Sequence, residues 1–122
     1  MAKTIMVVDD SASIRQVVGI ALRQAGYDVI EGNDGADALA KLTGQKVNLI
    51  ISYVNMPNMD GISFVRELKT RPAYKFTPVM MLTTESQQEK KEQGQAAGAR
   101  AWMVKPFKPE TLLAAVQKLV MP

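Results

Sequence analysis

The chain alternates between short apolar runs and longer segments in which apolar residues recur every three or four positions. Thr4-Ile5-Met6-Val7-Val8 is an apolar run that ends in Asp9-Asp10. After it, Ile14, Val17, Val18, Ala21, Leu22 and Ala25 keep the spacing of one helical face, and Gly26 suits the position just past the helix end. Residues 27–31 predict a second strand. Asp34 is placed to cap a helix that runs through Leu42 and stops at Gly44. Residues 47–52 form the continuous apolar run expected of a parallel strand buried on both faces. Residues 61–70 read as a helix with Ile62, Val65 and Leu68 inward, and residues 78–83 as a fourth strand.

Ser86-Gln87-Gln88-Glu89 has the form of a capping box opening the next helix. That helix is polar nearly all round and contains Gly94, so it buries little and is expected to be the least stable element. Residues 100–104 predict a fifth strand. Pro109 starts the last helix, whose inner face carries Leu112, Leu113, Val116, Leu119 and Val120.

Five successive βα units imply an α/β fold: a doubly wound parallel sheet with helices on both faces and right-handed crossovers, a three-layer sandwich. In open sheets of this kind a site lies beyond the carboxyl ends of the strands. That rule gathers Asp9 and Asp10 after the first strand, Tyr53 after the third, Thr83 at the end of the fourth and Lys105 after the fifth.

Composition narrows the chemistry. A chain of 122 residues with 47% apolar residues reads as one globular domain, residues 1–122. No run approaches the roughly 20 apolar residues of a membrane span, and the start leads straight into a strand without room for a signal peptide, so cytoplasmic residence without membrane insertion is expected. Cys and His are both absent, which removes thiolate chemistry and the commonest metal ligand and general base. A metal would therefore be held by oxygen, as Mg²⁺ is. The net charge of +3 invites a nucleic-acid reading, but no basic stripe interleaves with aromatics. A solvated surface without nucleic-acid binding is the better reading, and the basic balance suits an acidic protein partner.

Taken singly, the convergent residues are ambiguous. Adjacent Asp9 and Asp10 repel unless compensated, which fits an Mg²⁺ site, but a strand-end acid also caps the following helix, and Ser11 could share that task. Lys105 suits a phosphoryl oxygen as a point charge or is a surface lysine. Thr83 offers a hydroxyl or is a strand-end β-branched residue. The Lys105-Pro106 bond is one where a cis peptide is accessible at low cost.

Together they are more specific. Asp9-Asp10, Met56-Pro57-Asn58-Met59-Asp60-Gly61, Thr83 and Lys105-Pro106-Phe107, in this order on this ladder, resemble the receiver domain of two-component response regulators, chemotaxis type, along the whole chain. The resemblance implies a flavodoxin-like sheet in the order 2-1-3-4-5. It implies that Asp10 is the direct Mg²⁺ ligand, that Asp9 holds the ion through water, and that the Asn55 backbone carbonyl is a third contact. Thr83 and Lys105 match the switch hydroxyl and the phosphate-binding lysine. Trp102 stands at the switch-aromatic position, where Tyr or Phe is more usual; its plain alternative is a partly buried aromatic on the last strand. Asn55 and Glu85 fall where the family tunes dephosphorylation, and Thr84 is bulkier than the usual small residue. The helix after Thr83, the fifth strand and the last helix would form the output face. A histidine kinase is the implied phosphodonor and a motor-switch or other acidic-surfaced protein the implied partner of a monomer.

One residue departs from the pattern. The family's acceptor aspartate is replaced by Tyr53. A phenol has a reference pKa of about 10, is protonated at neutral pH and is a poor nucleophile. It also removes one acidic metal ligand, so Mg²⁺ binding should weaken. The ring could fill the phosphate site, with Lys105 turning to Asp9 or Asp10 or lying on the ring face. Tyr53 marks either a pseudo-receiver that signals by docking alone or a substitution in an otherwise active regulator; the retention of every other pocket residue favours the second. Because no phosphoryl group draws Thr83 inward, the inactive form is expected. A phosphorelay carrier is the alternative within the family. An FMN-binding enzyme on the same architecture is disfavoured because the Asp9-Asp10-Ser11-Ala12-Ser13 loop is acidic where a phosphate cradle needs backbone donors, so the chain is not expected to be an enzyme.

Overall fold

The computed structural model describes residues 2–84 and 90–121. Its strands are β1 (Thr4–Val8), β2 (Asp28–Gly32), β3 (Leu49–Tyr53), β4 (Val79–Thr83) and β5 (Ala101–Val104), and its helices α1 (Ala12–Gln24), α2 (Gly35–Lys41), α3 (Gly61–Leu68), α4 (Lys91–Ala97) and α5 (Pro109–Leu119). The strands form one parallel sheet in the order β2-β1-β3-β4-β5. Both the alternation and the expected order are therefore present. Among the described residues no helix is long and apolar enough to cross a membrane.

Side chains of a strand alternate between the faces of the sheet, and the central strands feed two cores. Met6, Val8, Ile50, Val54 and Met81 pack with Ala38 of α2 and with Phe64, Val65 and Leu68 of α3. Ile5, Val7, Leu49, Ile51, Met80 and Leu82 pack with Val18 and Leu22 of α1 and with Leu112 and Val116 of α5. Helices α2 and α3 thus cover one face and α1 and α5 the other, and β3 is buried along its length up to Tyr53.

The cap at Asp34 follows the sequence reading, the one at Ser11 settles an open choice, and the one at Asp60 is added by the structure. Ser11 caps α1 by accepting from Ile14 N–H at 3.3 Å, Asp34 caps α2 by accepting from Asp37 N–H, and Asp60 caps α3 by accepting from Ser63 N–H. Gly26 lies just past α1 with φ 95°, a backbone that glycine adopts without strain. The capping box at residues 86–89 lies outside the described residues. The helix that follows buries only Gly94, in line with its polar composition.

Three readings are corrected. Val17 keeps the spacing of the inner face of α1 yet is 55% exposed. The stripe that touches the sheet is narrow and runs through Val18 and Leu22, so Val17 falls on its flank. There it lines a groove of about 370 Å³ with Ile14, Lys105, Pro106 and Phe107. Strand β3 starts at Leu49, two residues later than expected. Asn48 is buried and makes side-chain bonds instead, accepting from Thr4 N–H at 2.9 Å and donating to the Met121 carbonyl at 2.9 Å. Leu42 and Val120 end α2 and α5 as extended residues rather than as helical ones.

Candidate functional site

The carboxyl edge of the sheet brings together Asp9, Tyr53, Thr83 and Lys105. Asp9 follows β1 and is fully buried. Its Oδ1 accepts from Ser11 N–H at 2.9 Å and its Oδ2 from the Lys105 ammonium at 2.7 Å. Its carbonyl accepts from Arg15 Nη1 at 2.5 Å, while Arg15 Nε pairs with Glu31 at 3.3 Å. Asp9 therefore does not cap α1, a task Ser11 performs; it braces the turn into the helix and neutralises a lysine. Asp10 beside it is exposed to solvent.

Tyr53 is the last residue of β3 and packs partly against both cores. The ammonium of Lys105 lies 3.6 Å from the centroid of its ring, within the range of an attractive cation–π contact. Lys105 thus makes at once the two contacts that its sequence context offered as alternatives. Its backbone N–H also donates to the Thr83 carbonyl at 2.6 Å, and the Lys105-Pro106 bond is cis. Thr83 is fully buried, and its hydroxyl has no partner among the described residues.

The loop between β3 and α3 is built by its own residues. Gly61 N–H donates to the Val54 carbonyl at 2.7 Å, and a Cβ at Gly61 would collide with the Tyr53 carbonyl oxygen. Only glycine lets α3 start so close to the end of β3. Asn55 is exposed at the mouth of the pocket. Asn58 has φ 65°, and its amide donates to Asp34 Oδ2 at 2.8 Å. That bond, with the Asp37 N–H, holds the Asp34 carboxyl below its usual range. The sequence gives Arg15 no role and Asn58 none beyond its place in the Met56–Gly61 motif. The one available signal at Asn58 was its residue type, since Asn tolerates a left-handed backbone better than most.

Trp102 lies apart from this cluster. It is a partly buried residue of β5 packed on the α4 side, and its indole N–H is buried without a partner among the described residues. Glu85 lies outside the described residues.

A family model described as the response regulator receiver domain matches residues 5–117. The chain belongs to that family. It is a CheY-like receiver, similar to solved structures of the chemotaxis protein CheY4 of Vibrio cholerae, with a TM-score of 0.93, 49% identity and coverage of 98% of this chain and 100% of that one. It is also 38% identical to Protein PilG of Pseudomonas aeruginosa over 113 residues, covering 93% of this chain and 84% of PilG. The phosphate regulon regulator PhoB of the same organism is 34% identical over 120 residues, and there the chain spans 52% of the relative's length.

Receiver domains take a phosphoryl group from histidine kinases and bind Mg²⁺ in their active site. The receiver domain of the sensor kinase PA1611 of Pseudomonas aeruginosa has a magnesium ion coordinated in its cleft; it is 28% identical to this chain with a TM-score of 0.89, covering 98% of each. In the present receiver Asp9, Asp10 and the Asn55 carbonyl are the oxygen groups at hand, both Asp9 oxygens already accept hydrogen bonds, and β3 ends in a phenol. No group of three acidic, imidazole or thiol side chains able to hold a metal occurs among the described residues. A hard ion such as Mg²⁺ keeps several waters and needs only one or two carboxylates; Asp9, Asp10 and the Asn55 carbonyl are the groups that would hold it here, and it would meet the Lys105 ammonium already on Asp9.

Proposed function

We propose that this receiver is a chemotaxis-type regulator whose acceptor position is occupied by Tyr53, and that it does not undergo normal phosphorylation. In this reading its parent activity is to relay a phosphoryl signal from a histidine kinase to a flagellar motor-switch partner, in the cytoplasm and as a monomer. The protein acts as a signalling partner rather than as an enzyme. The observation that carries the reading is the engagement of Lys105, the candidate phosphate-binding lysine, on both the Tyr53 ring and Asp9.

The roles follow from position. Tyr53 offers a protonated phenol where phosphoryl transfer needs an ionised carboxylate. Divalent binding through Asp9, Asp10 and the Asn55 carbonyl is weaker than in a receiver with aspartate at this place. Thr83 holds the switch hydroxyl, and Trp102, with Glu85, belongs to the output side formed by α4, β5 and α5. With no phosphoryl group to bond Thr83, the chain rests in the inactive form. A docking module that works without phosphorylation is the second reading. It is favoured by the same engagement of Lys105, because a buried carboxylate already paired with an ammonium does not need a ligand to be stable.

The test is Mg²⁺ with acetyl phosphate or beryllofluoride, read by Trp102 fluorescence, on the native chain and on Tyr53→Asp. A response confined to Tyr53→Asp supports the impaired regulator. Silence in both, together with tight partner binding without a phosphodonor, supports the docking module. A response from the native chain would overturn both.

A further inference from the structure

The buried carboxylate at the carboxyl edge is paired from within the chain. Asp9 is fully buried, and a buried carboxylate persists only when paired and hydrogen-bonded. Its two oxygens are used, one by Ser11 N–H and one by the Lys105 ammonium. Lys105 is itself only 16% exposed along its side chain and is held at three points: by Asp9 at 2.7 Å, by the Tyr53 ring at 3.6 Å and through its backbone N–H by Thr83 at 2.6 Å. Arg15 is the other cation close by. It is bound to Glu31 and to the Asp9 carbonyl, so it does not take over the Asp9 carboxylate.

We infer that the Lys105 ammonium is the resident cation of this pocket, serving Asp9 in the role a divalent ion has in metal-binding receivers, and that the Tyr53 ring is the group that positions it. The inference rests on the reading of this pocket as the receiver site and adds a competition to it. A divalent ion enters only by drawing Asp9 away from an ammonium that the aromatic face also holds. Removing a carboxylate is then only half of what Tyr53 does. Its ring supplies an attractive surface that keeps Lys105 over Asp9, so the buried carboxylate is neutralised from within and Mg²⁺ must compete for it.

The competition is testable on the whole chain with Mn²⁺ as the probe. Calorimetric titration would compare the native protein with Lys105→Met, which keeps the apolar stem without the charge, with Tyr53→Leu and with Tyr53→Asp. Lys105→Met should bind Mn²⁺ at least tenfold more tightly than the native chain, and Tyr53→Leu should fall between them. Mn²⁺ should raise the melting temperature of Lys105→Met and leave that of the native chain unchanged, a response that mere loss of a structural ion pair would not produce. Equal Mn²⁺ affinity in native and Lys105→Met proteins sinks the inference while leaving the receiver reading intact, provided that Tyr53→Asp binds. Absence of Mn²⁺ binding by Tyr53→Asp overturns the reading of this pocket as a divalent-metal site and the inference with it. A measurement free of variants guards against misfolding of Lys105→Met. Proton NMR of the native chain should show the Lys105 Cε protons shifted upfield by the Tyr53 ring, with the shift unchanged in millimolar Mg²⁺. No upfield shift, or its loss on adding Mg²⁺, would overturn the competition.

Discussion

Trp102 lies so close to Gly94 that a Cβ on the glycine would stand 2.5 Å from the indole Cζ3. The fit of a bulky aromatic on β5 thus depends on the missing side chain of α4. Gly94→Ala should improve intrinsic helix propensity by about 1 kcal/mol and cost about 1–3 kcal/mol in overpacking. The displacement is expected to win, with a net loss of stability and a shift in emission of the protein's single tryptophan. Urea unfolding followed by that emission measures both; a more stable protein with unchanged emission would show that the ring moves aside freely.

The opposite end of the sheet is tied by Asn48. Its side chain accepts from Thr4 N–H and donates to the Met121 carbonyl, while Met121 N–H donates to the Asn48 carbonyl at 2.9 Å. Each side-chain bond contributes about 0.5–1.5 kcal/mol net, and more is lost where a partner is left buried and unpaired. Asn48→Leu should lose about 2–3 kcal/mol in chemical denaturation. Asn48→Asp keeps the acceptor for Thr4 but sets a buried carboxylate oxygen against the Met121 carbonyl, so its loss should be larger at neutral than at acid pH. A loss independent of pH would mean that the carboxylate escapes to solvent.

The link between Asn58 and Asp34 gives a pH dependence. Hydrogen bonding lowers the Asp34 carboxyl, chiefly through Asn58, and that of Asp37, chiefly through Asn33 N–H. A carboxyl with a depressed folded pKa contributes stability that is fully present above its unfolded value, about 3.9, and is lost as pH falls through the folded value. Asn58→Gly removes the donor while tolerating φ 65°. It should move the Asp34 titration, followed by carboxyl-carbon NMR, up toward the ordinary value and lower stability near neutral pH, a loss that fades as pH falls through the folded value. An Asp34 titration that does not move would assign the depression to the Asp37 N–H instead.

Gly61 controls the loop that carries Asn55. Gly61→Ala places a Cβ against the Tyr53 carbonyl and 3.0 Å from the Val54 Cα, both backbone atoms of a buried strand end that has little room to give. A loss of about 2–4 kcal/mol is expected, at the upper end of point substitutions. Chemical shift changes should centre on residues 53–61. A loss below about 0.5 kcal/mol, the usual range of a surface change, would mean that α3 can start farther from the sheet.

Much of this was legible along the chain because it depends on local period and on residue type. Apolar runs of five or six residues and the helical spacing between them require a layered βα ladder, and the rule of carboxyl-edge sites then gathers Asp9, Thr83 and Lys105. Periodicity does not reveal how wide a stripe a helix presses on its sheet. Val17, which obeys the spacing, is exposed for that reason. It also misplaced the start of β3, because Asn48 spends its side chain on Thr4 and Met121 rather than lying in a regular strand.

By itself the sequence determined the alternation of elements, the cap at Asp34 and the presence of a phenol at the end of β3, since each depends on residues within a few positions of one another. Only the tertiary structure decided what becomes of the charge. Lys105 and Asp9 are 96 residues apart. Whether the ammonium turns to Asp9, to Asp10 or to the Tyr53 ring depends on how the ends of β1, β3 and β5 converge. Burial of Asp9 inside that edge makes the ion pair necessary, and the ring of Tyr53 at its side allows both contacts to be made at once.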